Sequence, residues 1–92
     1  MGSYKIEISK SANRDIRKIE GKFVKSIFET IKDLSDNPYP FQSKKLKGAE
    51  DSYRLRVGNY RVLYEINNKE KCVVVYHIRH RREAYKKWKI IY

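Results

Sequence analysis

Arg54, Arg56 and Arg61 stand within one short stretch, Tyr53-Arg-Leu-Arg-Val-Gly-Asn-Tyr-Arg-Val-Leu-Tyr-Glu-Ile66. Tyr53, Leu55 and Val57 alternate with Arg54 and Arg56, the two-residue period of a half-buried strand. Gly58-Asn59 follows, a pair that tolerates positive φ and joins antiparallel strands through a tight turn. On the return strand Tyr60, Val62, Tyr64 and Ile66 share one face, and Arg61, Leu63 and Glu65 share the other. The hairpin therefore hides an aromatic and aliphatic face and displays its arginines opposite. Like charges on one pleated face repel unless an anion is meant to lie among them. Guanidiniums bind phosphate through paired donors and stabilise the added negative charge of a pentacoordinate phosphorane.

Further candidates lie past the last apolar strand, whose end antiparallel pairing can bring beside the hairpin: Arg81, another phosphate ligand, and Tyr85. A tyrosine amid guanidiniums has its phenolate favoured by nearby positive charge, which suits it to act as a general base. His80 is the second choice, because its unperturbed pKa lies near neutrality. An RNA substrate would bring its own nucleophile, the 2′-hydroxyl. The protein then has to align that oxygen, remove its proton and shield the phosphate, with no metal and no cofactor required. Lys44, Lys45 and Lys47, with Arg79, Arg82 and Lys86, read as contacts to RNA phosphates that carry no sequence preference. Trp88 and Tyr92 could stack on bases or anchor the tail. Metal chemistry has little to stand on: no Cys/His set has zinc spacing, His77 and His80 lack nearby carboxylates, and the acids are scattered rather than paired.

The elements that must position these residues follow from periodicity. Tyr4, Ile6 and Ile8 alternate with Lys5 and Glu7 as a first strand. Ser9 or Ser11 can cap a helix running to about Glu20, with Ala12, Ile16 and Ile19 as a narrow apolar stripe among basic residues. After Gly21, Val24, Ile27, Phe28, Ile31 and Leu34 mark a second helix, stopped by Asp36-Asn37-Pro38. The two helices are expected to pair and cover one sheet face. The segment from Phe41 to Asp51 reads as a basic loop. Asn67-Asn68-Lys69 marks a turn, and the continuous apolar run Cys72–Ile78 reads as a central strand buried on both faces. The order strand, helix, helix and then three consecutive strands makes one α+β domain over residues 1–92, with a basic tail or short helix at its end.

Composition bounds the partners. Across 92 residues, 22 Lys plus Arg face 11 Asp plus Glu, and the net charge of +11 points to a polyanion. The lone Cys72 sits in the apolar run as a structural thiol and allows no internal disulfide, which fits a reducing cytoplasm. No apolar run approaches the roughly 18 residues that span a bilayer, so no membrane role is expected.

Lys45-Leu-Lys-Gly48, Tyr53-Arg-Leu-Arg-Val-Gly-Asn-Tyr-Arg-Val-Leu-Tyr64 and His80-Arg-Arg-Glu-Ala-Tyr85 together resemble the RelE/ParE superfamily of bacterial and archaeal toxins, over essentially the whole chain. The resemblance implies the toxin of a type II toxin–antitoxin system: a ribosome-dependent mRNA interferase that cuts mRNA in the A site. Products would be a 2′,3′-cyclic phosphate and a 5′-hydroxyl; partners would be a cognate antitoxin, mRNA and rRNA. By position it assigns the catalytic set to Arg54, Arg56, Arg61, Arg81 and Tyr85. Arginines stand at 54 and 56 where the best-known pattern has lysines, and an arginine cannot readily take a proton. Two other readings stay open: a non-catalytic ParE-like inhibitor of DNA gyrase, and an RNA-binding protein of this fold without activity.

Overall fold

A computed structural model describes residues 3–46 and 51–80. Its elements are β1 (Lys5–Ile8), α1 (Lys10–Arg17), α2 (Gly21–Asp33), β2 (Ser43–Lys45), β3 (Ser52–Val57), β4 (Tyr60–Asn67) and β5 (Cys72–His80). They form an α+β fold whose five strands run in the order β1-β5-β4-β3-β2. The strands from β2 to β5 are a continuous antiparallel meander, and β1 joins β5 in parallel. Two features differ from the sequence expectation. The basic loop contains a short strand, β2, because Ser43, Lys44 and Lys45 pair with Leu55, Arg54 and Tyr53 and so cover the outer edge of β3. The middle strand is β4 rather than β5.

The hairpin turn closes as its sequence requires. Val57 pairs with Tyr60 across Gly58-Asn59. Gly58 has φ +60 and Asn59 is not among the positive-φ residues, the pattern of a II′ turn with glycine first. One face of the sheet carries the core: Leu55, Val62, Tyr64, Ile66, Val73, Val75 and Ile78 meet Ala12, Ile19, Ile27, Ile31 and Leu34. Phe28, counted in the apolar stripe of α2, is 41% exposed, so that stripe is narrower than its spacing suggested.

Burial on both faces, expected of β5, belongs to β4, where Arg61, Val62, Leu63 and Tyr64 are buried in succession. β5 alternates instead, with Val73, Val75 and Ile78 buried between partly exposed neighbours. Ser9 starts α1, its Oγ accepting from the Ala12 N–H at 3.1 Å. The same hydroxyl donates to the Tyr76 carbonyl at 2.9 Å, and the Ser9 N–H donates to the Val75 carbonyl at 2.9 Å. These bonds seat α1 against β5 as soon as β1 ends. No helix among the described residues is long and apolar enough to cross a membrane.

Tyr64 ties the sheet to the connection after α2. Its hydroxyl donates to the Pro38 carbonyl at 2.9 Å, and its ring stacks on Tyr53, which meets Tyr39 edge-on. Burial pushes the Tyr64 phenol from 10.0 up to about 12. Its ionisation is thus harder in the fold than in the unfolded chain. The linked stability is fully present below pH ~10 and is lost as pH rises through about 12. Replacing Tyr64 by Phe is expected to cost about 1 kcal/mol at pH 7, since the buried Pro38 carbonyl loses its donor. It should also reduce the alkaline loss of stability, leaving the part due to Tyr53 and Tyr76, whose phenols burial also raises. Urea denaturation at pH 7 and pH 11 checks both expectations.

Candidate phosphate-binding face

The arginines fall into register. Arg56 lies directly across from Arg61, and Arg61 directly across from Arg79, so one row crosses β3, β4 and β5. Residues paired this way share a face, and neighbouring strands stand about 4.8 Å apart. The next row along the strands is Lys44, Arg54, Leu63 and His77. Lys44, Arg54, Arg56, Arg61 and Arg79 therefore belong to one side of the sheet, away from the main core. Arg61 is 6% exposed, and its Nη1 donates to the Tyr60 carbonyl at 3.2 Å. That acceptor belongs to the preceding residue of β4, so the guanidinium is held close to its own strand.

A bulge between Leu63 and Tyr64 puts Arg79 in that row. From the turn end, Asn67 pairs with Cys72 and Tyr64 with Val75; then Tyr76 is skipped and Leu63 pairs with His77. Without the extra residue, Arg79 would stand opposite Tyr60, on the other face. Bulges commonly re-aim a side chain in this way.

Asp15 of α1 reaches the same strand end. It is 5% exposed, and its Oδ2 accepts from the Ile78 N–H at 2.9 Å. Its Oδ1 pairs with Arg79 Nη1, and His77 Nδ1 lies 3.5 Å from Oδ2. β1 covers β5 only from Cys72 to Val75, so the Ile78 donor points past the end of β1 toward the helix. Sequence reasoning overlooked Asp15. The available signal was its position: with Ala12, Ile16 and Ile19 it occupies helical spacing on the apolar stripe, where a carboxylate demands a partner. Arg79 had been read only as a nonspecific contact, because the bulge that sets its register leaves no obvious mark in the sequence.

Other candidates are placed apart or not at all. His80 pairs with Tyr60 in register, their rings edge to face at 5.4 Å, on the face opposite Arg61. Lys45 pairs with Tyr53 and so points away from the arginines. Lys47, Arg81, Arg82, Tyr85, Lys86, Trp88 and Tyr92 lie outside the described residues. Beside the arginine rows, Leu46, Ser52, Leu63, Tyr76 and His77 border a hollow of about 170 Å³. Burial first, and then the Glu65 carboxylate, push the Tyr76 phenol up. Burial also raises the Cys72 thiol, helped by Glu7 nearby, so it stays a structural thiol. Among the described residues no three His, Cys, Asp or Glu are grouped to hold a metal ion.

This geometry has counterparts among known proteins. Residues 6–85 match the sequence model of the ParE toxin of the type II toxin–antitoxin system parDE. The toxin RelE3 of Methanocaldococcus jannaschii is 31% identical over 85 residues, covering 88% of this chain and 94% of its own. A solved archaeal RelE–RelB complex from Pyrococcus horikoshii superposes with a TM-score of 0.77 at 28% identity, over 86% of this chain and 96% of that one. The toxin–antitoxin complex RelBE2 of Mycobacterium tuberculosis gives 0.76 at 28% identity, over 85% and 98%. With the fold, the hairpin and the matched span in agreement, the chain belongs to the RelE/ParE superfamily of type II toxin–antitoxin toxins.

Proposed function

We propose that this toxin is a ribosome-dependent endoribonuclease that cuts mRNA in the A site by attack of a 2′-hydroxyl on the adjacent phosphate. The observation that carries the reading is the row Arg56–Arg61–Arg79, flanked by Arg54 and Lys44 on the same face. Several cations within one or two strand spacings fit a single phosphodiester and its neighbours. In the reaction the 2′-oxygen bonds to phosphorus as its proton is removed, the bond from phosphorus to the 5′-oxygen breaks, and the departing 5′-oxygen takes up a proton from solvent. A 2′,3′-cyclic phosphate and a 5′-hydroxyl result. The arginines hold the phosphate in line and take up the charge of the phosphorane. Tyr85 removes the 2′-proton, and Arg81 adds to the grip on the substrate. Lys47, Arg82 and Lys86 contact rRNA or mRNA phosphates, as Lys44 does at the margin of the site.

The family supplies a partner as well. Solved relatives are complexes of RelE with RelB, and we infer that a cognate antitoxin neutralises this chain by bringing carboxylates or an amphipathic segment over its arginines. The ParE name of the matching family favours a second reading, in which the fold binds DNA gyrase without cutting RNA. That reading has no need of a phosphate-directed row.

Arg61→Ala and Arg79→Ala are each expected to lower A-site cleavage about a hundredfold or more, the scale of losing one transition-state donor. Growth arrest should be relieved in parallel. Primer extension on translated mRNA, run beside gyrase supercoiling with the same protein, decides between the readings. Unchanged cleavage in the double variant rejects the enzymatic one. Arg56→Gln should separate grip from stability. It removes one of two like charges held directly opposite, so the free protein gains up to about 1 kcal/mol in thermal or urea unfolding, while cleavage falls.

A further inference from the structure

We propose that Asp15 is a positioning residue for the arginine face, holding the Arg79 guanidinium and the last residues of β5 so that Arg79 meets the same phosphate as Arg61. The proposal rests on the RNA-cleaving reading above and adds a residue from α1, which carries none of the expected site residues.

Burying a carboxylate is costly unless every nearby group repays it, and Asp15 is almost fully buried. One of its oxygens accepts from the Ile78 N–H, and the other pairs with Arg79 Nη1. Capping the open edge of β5 needs only an acceptor, which a neutral Asn or Ser supplies. The charge is matched by the Arg79 guanidinium on Oδ1, with the His77 imidazole 3.5 Å from Oδ2. An arginine carries five donors in a rigid plane, so fixing Nη1 at one carboxylate also fixes the direction of the others.

Arg79 Nε is buried with no hydrogen-bond acceptor among the described residues. Native proteins leave few such donors, and each calls for an explanation. By register Arg79 stands directly across from Arg61, and a phosphate oxygen brought between the two by the substrate would supply the missing acceptor. Rotamer freedom that a long cation normally loses on binding is here lost on folding, so the grip is set before RNA arrives.

A double-mutant cycle with Asp15→Asn and Arg79→Ala tests this on the full chain with translating ribosomes. Asp15→Asn keeps an oxygen for Ile78 and the side-chain volume while removing the charge. Single-turnover cleavage should fall about tenfold or more in the Asp15→Asn protein, with little change in the toxin concentration that half-saturates the ribosomes. In the Arg79→Ala background the same change should cost less than about twofold. Side-chain ¹⁵N spectra should show a slowly exchanging Arg79 guanidinium signal that Asp15→Asn abolishes. If Asp15→Asn does not fold, Asp15→Glu, which moves the charge by one methylene, runs through the same cycle. Equal losses in both backgrounds would make Asp15 merely structural, and full cleavage by a folded Asp15→Asn protein that has lost the Arg79 signal would also overturn the proposal. A wild-type protein that leaves mRNA intact instead sinks the enzymatic reading itself, and the inference with it.

Discussion

The last strand outruns its neighbour. β1 pairs with β5 only as far as Val75, and among the described residues no strand lies beside the outer edge of β5 from Tyr76 to His80. A bare edge is a liability in any sheet, and here it lies at the end of the arginine row. α1 closes it with side chains in place of a ladder: Ser9 takes the Tyr76 carbonyl, and Asp15 takes the Ile78 N–H. The helix must therefore do three things at once. Ala12 enters the core with Ile16 packed against it, Asp15 turns into the edge, and Lys10, Arg14 and Arg17 remain outside. Its sequence is sparse in apolar residues because so narrow a strip of it faces the core.

The arginine face is held together against its own repulsion. Arg56 stands opposite Arg61 and Arg61 opposite Arg79 in register; like charges so placed cost up to about 1 kcal/mol a pair, and Asp15 offsets the second pair by its bond to Arg79. On the other side of the same strands, Leu55, Val62, Tyr64 and Ile66 are almost completely buried. Each such side chain contributes roughly 1.5–3 kcal/mol. The core therefore decides the register, and the charges must accept the places it assigns them. The chain of rings from Tyr39 through Tyr53 to Tyr64 adds to that hold close to the edge strand β2.

Alternation carried much of this. Tyr53–Val57 and Tyr60–Ile66 could be assigned to faces residue by residue, because a two-residue period leaves no freedom once the turn at Gly58-Asn59 is placed. The placement of Arg54, Arg56 and Arg61 on one side follows from that alone. α2 was likewise legible through Ile27, Ile31 and Leu34. β2 was not, because Ser43-Lys44-Lys45 has no apolar pattern and becomes a strand only where β3 offers it backbone partners. Leu63 looked like a solvent-side residue and is 3% exposed.

Sequence by itself thus determined the hairpin and its cationic side, since these depend on local period and composition. Tertiary structure alone decided which residues complete that side. The skipped Tyr76 moves Arg79 into line with Arg61 and places His80 on the opposite face. It also decided that Asp15, distant in sequence, would be the counter-charge to Arg79. A bulge and an edge cap are settled by how strands of unequal length meet a helix, and no local run of residues contains that information.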